Sequence, residues 1–133
     1  PHGMIYEEGL WTPQLVIGND STGIIYTSQK GEYTRIGNKV FISLEIQLNN
    51  KGTNSGHVAI DGLPFPVKSS MIQSSQIVSY KDFVIDKMVD IGFNIIQSQL
   101  SLYVNNDSKT LNSLTDYNLT DTTRIRANFA YSV

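Results

Sequence analysis

The chain has 133 residues, no cysteine and a formal net charge of −2, from 10 basic and 12 acidic residues. This is the length of one domain, which can bury roughly two thirds of the surface of its unfolded chain. The absence of cysteine excludes disulfides and thiolate metal sites. The basic residues are scattered singly, so the chain has no basic patch that would favour binding to nucleic acid. No apolar run is long enough for membrane insertion.

The first four residues, Pro-His-Gly-Met, resemble a cloning scar, and we predict that residues 5–133 form a single domain. Only 17% of the residues are charged, whereas Ser, Thr, Asn and Gln are plentiful. This composition is more typical of β-rich extracellular or particle-surface proteins than of cytosolic helical enzymes.

In the N-terminal third, Glu7–Pro13 is predicted to be an extended lead-in that carries the only tryptophan, Trp11, and Gln14–Ile17 a short strand. Glycine often marks a turn between strands. We therefore expect a hairpin of Ile24–Gln29 and Glu32–Ile36 that turns at Lys30-Gly31.

The segment Lys39–Leu48 is the strongest strand in the chain. Every second residue from Val40 to Leu48 is aliphatic, whereas the residues between them are Phe41 and three polar side chains. Residues two apart share one face of a strand, so this pattern predicts a sheet that covers a core on one side. The preceding Gly37-Asn38 suits a tight hairpin turn.

The middle of the chain contains a short strand, His57–Ile60, and then the element Gly62–Pro66, whose prolines exclude a central strand. We expect the apolar residues of this element to plug one end of the core. Ser74–Tyr80 is predicted to be a strand. Asp82–Asp90 is ambiguous: its aspartates recur at helical spacing, but its β-branched residues and lack of caps favour strand and loop.

Two further strands, Asp90–Ile96 and Gln99–Val104, precede the polar, turn-rich stretch Asn105–Asp121, where we expect a short helical turn. The chain ends in Thr123–Val133, another alternating strand. Eight to ten antiparallel strands indicate an all-β fold, an antiparallel β-sandwich of jelly-roll type.

No catalytic constellation is evident. His57 is the only histidine outside the first four residues, and no nucleophile elbow accompanies it. Asn105-Asn106-Asp107 is too short for a calcium loop, and the scattered carboxylates are explained as solvated faces. We therefore expect no enzyme activity, no metal and no cofactor.

Binding is the chemistry that remains, because seven tyrosines offer apolar rings with a polar handle, on which sugars stack. Three of them lie in or beside polar loops whose side chains can hydrogen-bond hydroxyl groups. The predicted carbohydrate-binding residues are Tyr80, Asp82, Tyr103, Asp107 and Tyr117. Each tyrosine is also compatible with an ordinary half-buried strand position.

Four segments in fixed order carry a resemblance to a known family: EGLWTPQLVIG, GIIYTSQKGEYTRIGNKVFISLEIQL, NKGTNSGHVAIDGLPF and LTDYNLTDTTRIRANFAYSV. The chain resembles the C-terminal domain of bacteriophage tail fibres and tailspikes from about Glu8 onwards, and least over residues 80–114. The resemblance implies a β-sandwich that forms a parallel homotrimer at the virion tail tip and attaches to host-surface glycans. Any depolymerase activity would then reside in an upstream β-helix.

Three functions stay open at this point: a trimeric adhesin that binds a bacterial surface glycan, a purely structural trimerisation cap, and a carbohydrate-binding module of a secreted hydrolase, which would be monomeric. A trimer needs a surface that subunits cover, and Phe41 faces away from the core side of its strand. The predicted trimer interface comprises Trp11, Phe41, Phe129 and Tyr131.

We predict that Phe41→Asp loosens the oligomer and leaves the sandwich folded, because it puts a charge on an outward apolar position. Light scattering coupled to size exclusion measures the mass. An unchanged mass for this variant would remove Phe41 from the interface.

Overall fold

A computed structural model describes residues 5–68, 74–84, 88–96, 99–106 and 111–133. The positions Asp86 and Asp107, and the presumed scar at residues 1–4, lie outside these ranges. The described part is an antiparallel β-sandwich of two sheets, which confirms the predicted fold class. Its strands, in chain order, are β1 (Tyr6–Leu10), β2 (Gln14–Ile17), β3 (Ile25–Ile36), β4 (Lys39–Asn50), β5 (Val58–Asp61), β6 (Ser74–Phe83), β7 (Met88–Ile96), β8 (Gln99–Asn106), β9 (Leu111–Ser113) and β10 (Leu119–Ser132).

The first sheet has the order β1-β3-β4-β10-β6, and the second has the order β2-β5-β8-β7, with β9 also paired to β8. Strand β4 lies between its hairpin partner β3 and the C-terminal strand β10. Its aliphatic residues are all buried, as the alternation predicts; they are Val40, Ile42, Leu44, Ile46 and Leu48. The turn before β4 is tight, with Gly37 at a φ of +60°.

The core lies between the sheets, where residues of β4 and β10 meet residues of β5 and β8. Leu63, Phe65 and Val67 pack against this core from the loop after β5, which confirms the predicted plug. The Tyr131 hydroxyl donates to the Phe65 carbonyl at 3.1 Å and accepts from the Phe65 amide at 3.2 Å. These two hydrogen bonds satisfy the buried phenol hydroxyl and fix the loop.

The predicted hairpin turn at Lys30-Gly31 is wrong, because residues 25–36 form one continuous strand. Glycine serves close packing here and not a turn. A Cβ on Gly31 would lie 2.6 Å from the Nε1 atom and the carbonyl oxygen of Trp11. The missing side chain therefore lets the indole lie directly on the backbone of β3.

Trp11 occupies the crossover from β1 in the first sheet to β2 in the second. Its amide donates to the Gly31 carbonyl at 3.1 Å. The indole Nε1–H is shared between the carbonyls of Glu32 on β3 and Ser43 on β4, both at 3.2 Å. One side chain thus ties the crossover to two strands of the first sheet.

The other predicted elements agree with the structure to within a few residues. The ambiguous segment is strand on both sides of residues 85–87, since β6 ends at Phe83 and β7 begins at Met88. The expected helical turn is a 3₁₀ turn, Asp116–Asn118, between the buried residues Leu114 and Leu119. Strand β10 begins at Leu119, four residues earlier than predicted.

We predict that Gly31→Ala lowers the free energy of unfolding by about 1–3 kcal/mol, because the added methyl group overlaps Trp11 in a packed core. The matched control is Gly92→Ala on β7, where an added Cβ meets nothing within 4 Å. Urea unfolding measures both variants. Equal stabilities would contradict the close-packing role of Gly31.

Candidate functional site

The 3₁₀ turn Asp116–Asn118 is anchored on both sides. The Asp116 carboxylate accepts from the Gly56 amide at 3.0 Å. On the other side, Asn118 makes two hydrogen bonds to Val84. The Asn118 carbonyl accepts from the Val84 amide at 2.8 Å, and the Asn118 Nδ2 donates to the Val84 carbonyl at 2.9 Å. Tyr117, between these anchors, is 82% exposed. A tyrosine ring is therefore held out in solvent on a fixed backbone.

Asp82 lies at the end of β6, where the backbone bonds of Val84 join that strand to the 3₁₀ turn. Its φ of +61° is unusual for a residue with a side chain. The hydroxyls of Thr123 and Thr120 donate to its carbonyl at 2.7 and 3.1 Å, and the Thr122 hydroxyl donates to its carboxylate at 2.9 Å. These bonds hold an exposed carboxylate in a strained conformation, a condition that recurs at functional sites.

Tyr80 precedes Asp82 on the edge strand β6 and is 45% exposed. Its ring meets Phe83 edge to face, with centroids 5.9 Å apart. We call the surface formed by Tyr80, Asp82, Val84, Tyr117 and Thr122 the Tyr117 corner. It presents aromatic rings beside a carboxylate and a hydroxyl, which are the groups that a sugar ring uses for stacking and hydrogen bonding.

Tyr103, predicted as part of the same site, lies elsewhere. Its neighbours on β8, Leu102 and Val104, point into the core, so Tyr103 lies on the opposite face of the second sheet. Its ring contacts His57, with centroids 5.5 Å apart. Both imidazole nitrogens are buried and have no hydrogen-bond partner among the described residues. Tyr80 and Asp82 therefore lie on the first sheet beside the turn that carries Tyr117, whereas Tyr103 lies on the second sheet and contacts His57, which pairs with Thr115 just before that turn.

Three of the four residues predicted for a trimer interface belong to the chain's own core. Trp11, Phe129 and Tyr131 are 7%, 3% and 0% exposed. Burial also raises the pKa of the Tyr131 phenol. These side chains have almost no surface left for a neighbouring subunit. Phe41 is 47% exposed and points away from the core, as predicted.

Phe41 belongs to a larger exposed surface. We use the name outer face for the solvent side of the first sheet, opposite the core. Sequence reasoning identified Phe41 there but missed its neighbours. The alternation of Tyr6, Glu8 and Leu10 was the available signal. The exposed apolar residues of the outer face are Tyr6, Leu10, Ile36, Phe41 and Val78.

A charged group occupies the centre of the outer face. The Glu45 carboxylate accepts from the Ser28 hydroxyl at 2.6 Å and pairs with the Arg126 Nε at 3.0 Å. The bond from Ser28 and the positive charges of Arg126, Lys30 and Arg124 lower the pKa of Glu45, against the opposing effect of desolvation. Glu45 is therefore ionised and its charge is balanced within the chain.

A shallow groove of about 780 Å³ runs over this group. Leu10 stands at one side of the groove and Val78 at the other, and polar side chains of β3, β4 and β10 lie between them. Val78 is placed there by a β-bulge, since the register of β6 against β10 shifts between Arg126 and Ala127.

Nothing in the described ranges points to a metal centre or a membrane span. No group of three or more His, Asp or Glu side chains is placed to hold an ion. No helix in those ranges is long and apolar enough to cross a bilayer.

The fold is similar to that of a known phage protein. The crystal structure of the Dettilon tailspike protein (gp208) superposes with a TM-score of 0.79 over 96% of this chain, at 19% sequence identity. The chain spans 24% of the length of that tailspike chain. No protein-family model and no curated protein matches the sequence. The sandwich is therefore a fold that occurs within a tailspike, and the C-terminal position stays a prediction.

We predict that Glu45→Gln destabilises the chain at pH 7 and that the difference from the wild type shrinks at low pH. A carboxyl group whose pKa is lowered by folding stabilises the native state above its ordinary titration range. This contribution is lost as the pH falls through the lowered value. The pair is partly exposed, so we expect less than about 1 kcal/mol at pH 7.

Urea unfolding at pH 7 and pH 3 measures this effect. Ser28→Ala, which removes the strongest partner of Glu45, should reproduce part of the loss at pH 7. A difference between wild type and Glu45→Gln that stays constant between the two pH values would contradict the assignment.

Proposed function

We propose that this chain is a non-enzymatic, phage tail-associated module that assembles as a homotrimer and binds carbohydrate on the bacterial surface through the Tyr117 corner. Its place is the virion, at the tail tip. The observation that carries the proposal is Tyr117, whose side chain is 82% exposed on a turn that hydrogen bonds fix from both sides. A fold shared with part of a tailspike supports the phage assignment.

The geometry favours binding over catalysis at this corner. Asp116 and Asp82 are the carboxylates nearest to the exposed rings in sequence, and both are already engaged, Asp116 by the Gly56 amide and Asp82 by the Thr122 hydroxyl. Hydrolysis of a glycoside requires two carboxyl groups that flank the sugar. An aromatic ring with one oriented carboxylate suffices for recognition. A turn that is already anchored in the free protein also reduces the entropy that binding costs.

A second candidate function is a structural trimerisation cap, which the exposed apolar residues of the outer face favour. The cap needs the same fold and the same trimer but no ligand. A monomeric carbohydrate-binding module of a secreted hydrolase is the third. Solution mass and glycan binding together separate the three.

The first measurement is the absolute mass by light scattering, at a protein concentration near 1 µM or above. We expect about 44 kDa, three times the 14.8 kDa of one chain. The trimer is then applied to an array of bacterial surface glycans. We expect binding that Tyr117→Ala weakens severalfold, since stacking on an aromatic ring contributes on the order of 1 kcal/mol.

Tyr103→Ala is the comparison variant, because that ring lies on the second sheet against His57 and is not one of the residues that form the Tyr117 corner. It should bind as the wild type does if its mass is unchanged. Uniform absence of binding by a confirmed trimer would support the structural cap. A mass of one chain would oppose the tail-tip proposal and favour the secreted module.

A further inference from the structure

The outer face combines exposed apolar side chains with an uneven distribution of charge. We propose that this face is the surface through which copies of the chain pack, with the β1–β3 half of one subunit against the β10–β6 half of the next. The inference rests on the homotrimer of the proposed function and adds which surface forms it and which side chains meet.

The two halves of the outer face differ in sign. From Arg124 to Ser132 on β10 and from Ser74 to Lys81 on β6, the described charged side chains are all basic; they are Arg124, Arg126 and Lys81, whereas Asp82 and Asp121 lie beyond this stretch, towards the Tyr117 corner. The β1–β3 half carries the exposed Glu8 and Glu32, with Lys30 as its one cation. Lys30 lies near Glu45 and contributes to lowering the pKa of that carboxyl.

The acidic residues of the β1–β3 half are available to a partner. Within the described part of the chain, Glu45 forms the one ion pair, and neither Glu8 nor Glu32 has such a partner. Both side chains are exposed. Charges left unpaired on one half therefore match the excess of cations on the other half.

Apolar residues follow the same arrangement. Leu10, at the β1 edge, is 79% exposed and lies opposite Glu32 in the strand register. Val78, at the β6 edge, is 52% exposed and lies beside the Arg126 position. Glu32 and Arg126 are two residues apart along the register of the sheet, since Glu32 pairs with Ser43 and Arg126 with Glu45. Leu10 with Glu32, on one half, and Val78 with Arg126, on the other, thus lie at similar positions along the strand direction.

A cyclic assembly brings different halves of one face together. Around a three-fold axis parallel to the strands, the β1–β3 half of each outer face meets the β10–β6 half of the neighbouring subunit. Leu10 then approaches Val78, and Glu32 approaches Arg126. Burial of the apolar side chains supplies affinity, and the charges set the register and exclude wrong pairings. A single chain in water leaves both sets of groups exposed.

Charge reversal tests this contact. Glu32→Arg places cations on both halves, and Lys81→Glu weakens the basic half without touching the Arg126–Glu45 pair. We expect each variant to raise the dissociation constant of the trimer at least tenfold, seen as a shift to the single-chain mass on dilution. Glu32→Arg combined with Lys81→Glu places a new cation on one half opposite a new anion on the other, leaves the Arg126–Glu45 pair intact, and should recover at least half of the lost affinity.

The control is Asp61→Lys, a charge reversal on β5 in the second sheet and therefore away from the outer face. It should keep the wild-type mass, and circular dichroism checks that every variant is folded. Trimers that survive both single reversals would overturn the proposed face, as would a combined variant no better than Glu32→Arg alone. Charge-reversal variants that stay trimeric but lose glycan binding would indicate that the groove binds the ligand, and this result would also overturn the proposed face. A wild-type chain that is monomeric would instead refute the homotrimer itself.

Discussion

The sandwich depends on how Trp11 crosses between its two sheets. The indole and the backbone of this residue bond to Gly31, Glu32 and Ser43, so that the crossover is fixed to β3 and β4 at once. Such a contact needs a strand position without a side chain, and Gly31 provides it. Because β1 and β2 are both edge strands, this anchor also keeps the two sheets in register at the open side of the sandwich.

The central strands of the first sheet give the molecule two functional surfaces from one rigid element. Their inner residues build the core, whereas their outer residues carry the Ser28–Glu45–Arg126 group and the exposed apolar residues around it. At one end of the same sheet, β6 and β10 hold Asp82 and the 3₁₀ turn with Tyr117. Assembly through the outer face and recognition at the Tyr117 corner would therefore use separate surfaces, and the proposed module could do both at once.

Much of the fold could be predicted because side-chain alternation in a strand reports directly on burial. Strands β4 and β10 show this, since every predicted inward residue from Ile125 to Tyr131 is buried. The prediction failed at Lys30-Gly31 because glycine has two uses, in turns and in close packing, and the local sequence does not distinguish them. The residue that decides between them, Trp11, lies twenty positions away in the chain.

The sequence by itself determined the class of the fold, the apolar face of each long strand and the outward position of Phe41, because these follow from a period of two along the backbone. Only the tertiary structure decided which side chains meet. It buried Trp11, Phe129 and Tyr131 within one chain, and it placed Tyr80 and Tyr103 on different sheets. The physical reason is that these outcomes depend on strand order and loop anchoring, which join residues far apart in sequence through hydrogen bonds such as those of Val84 to Asn118.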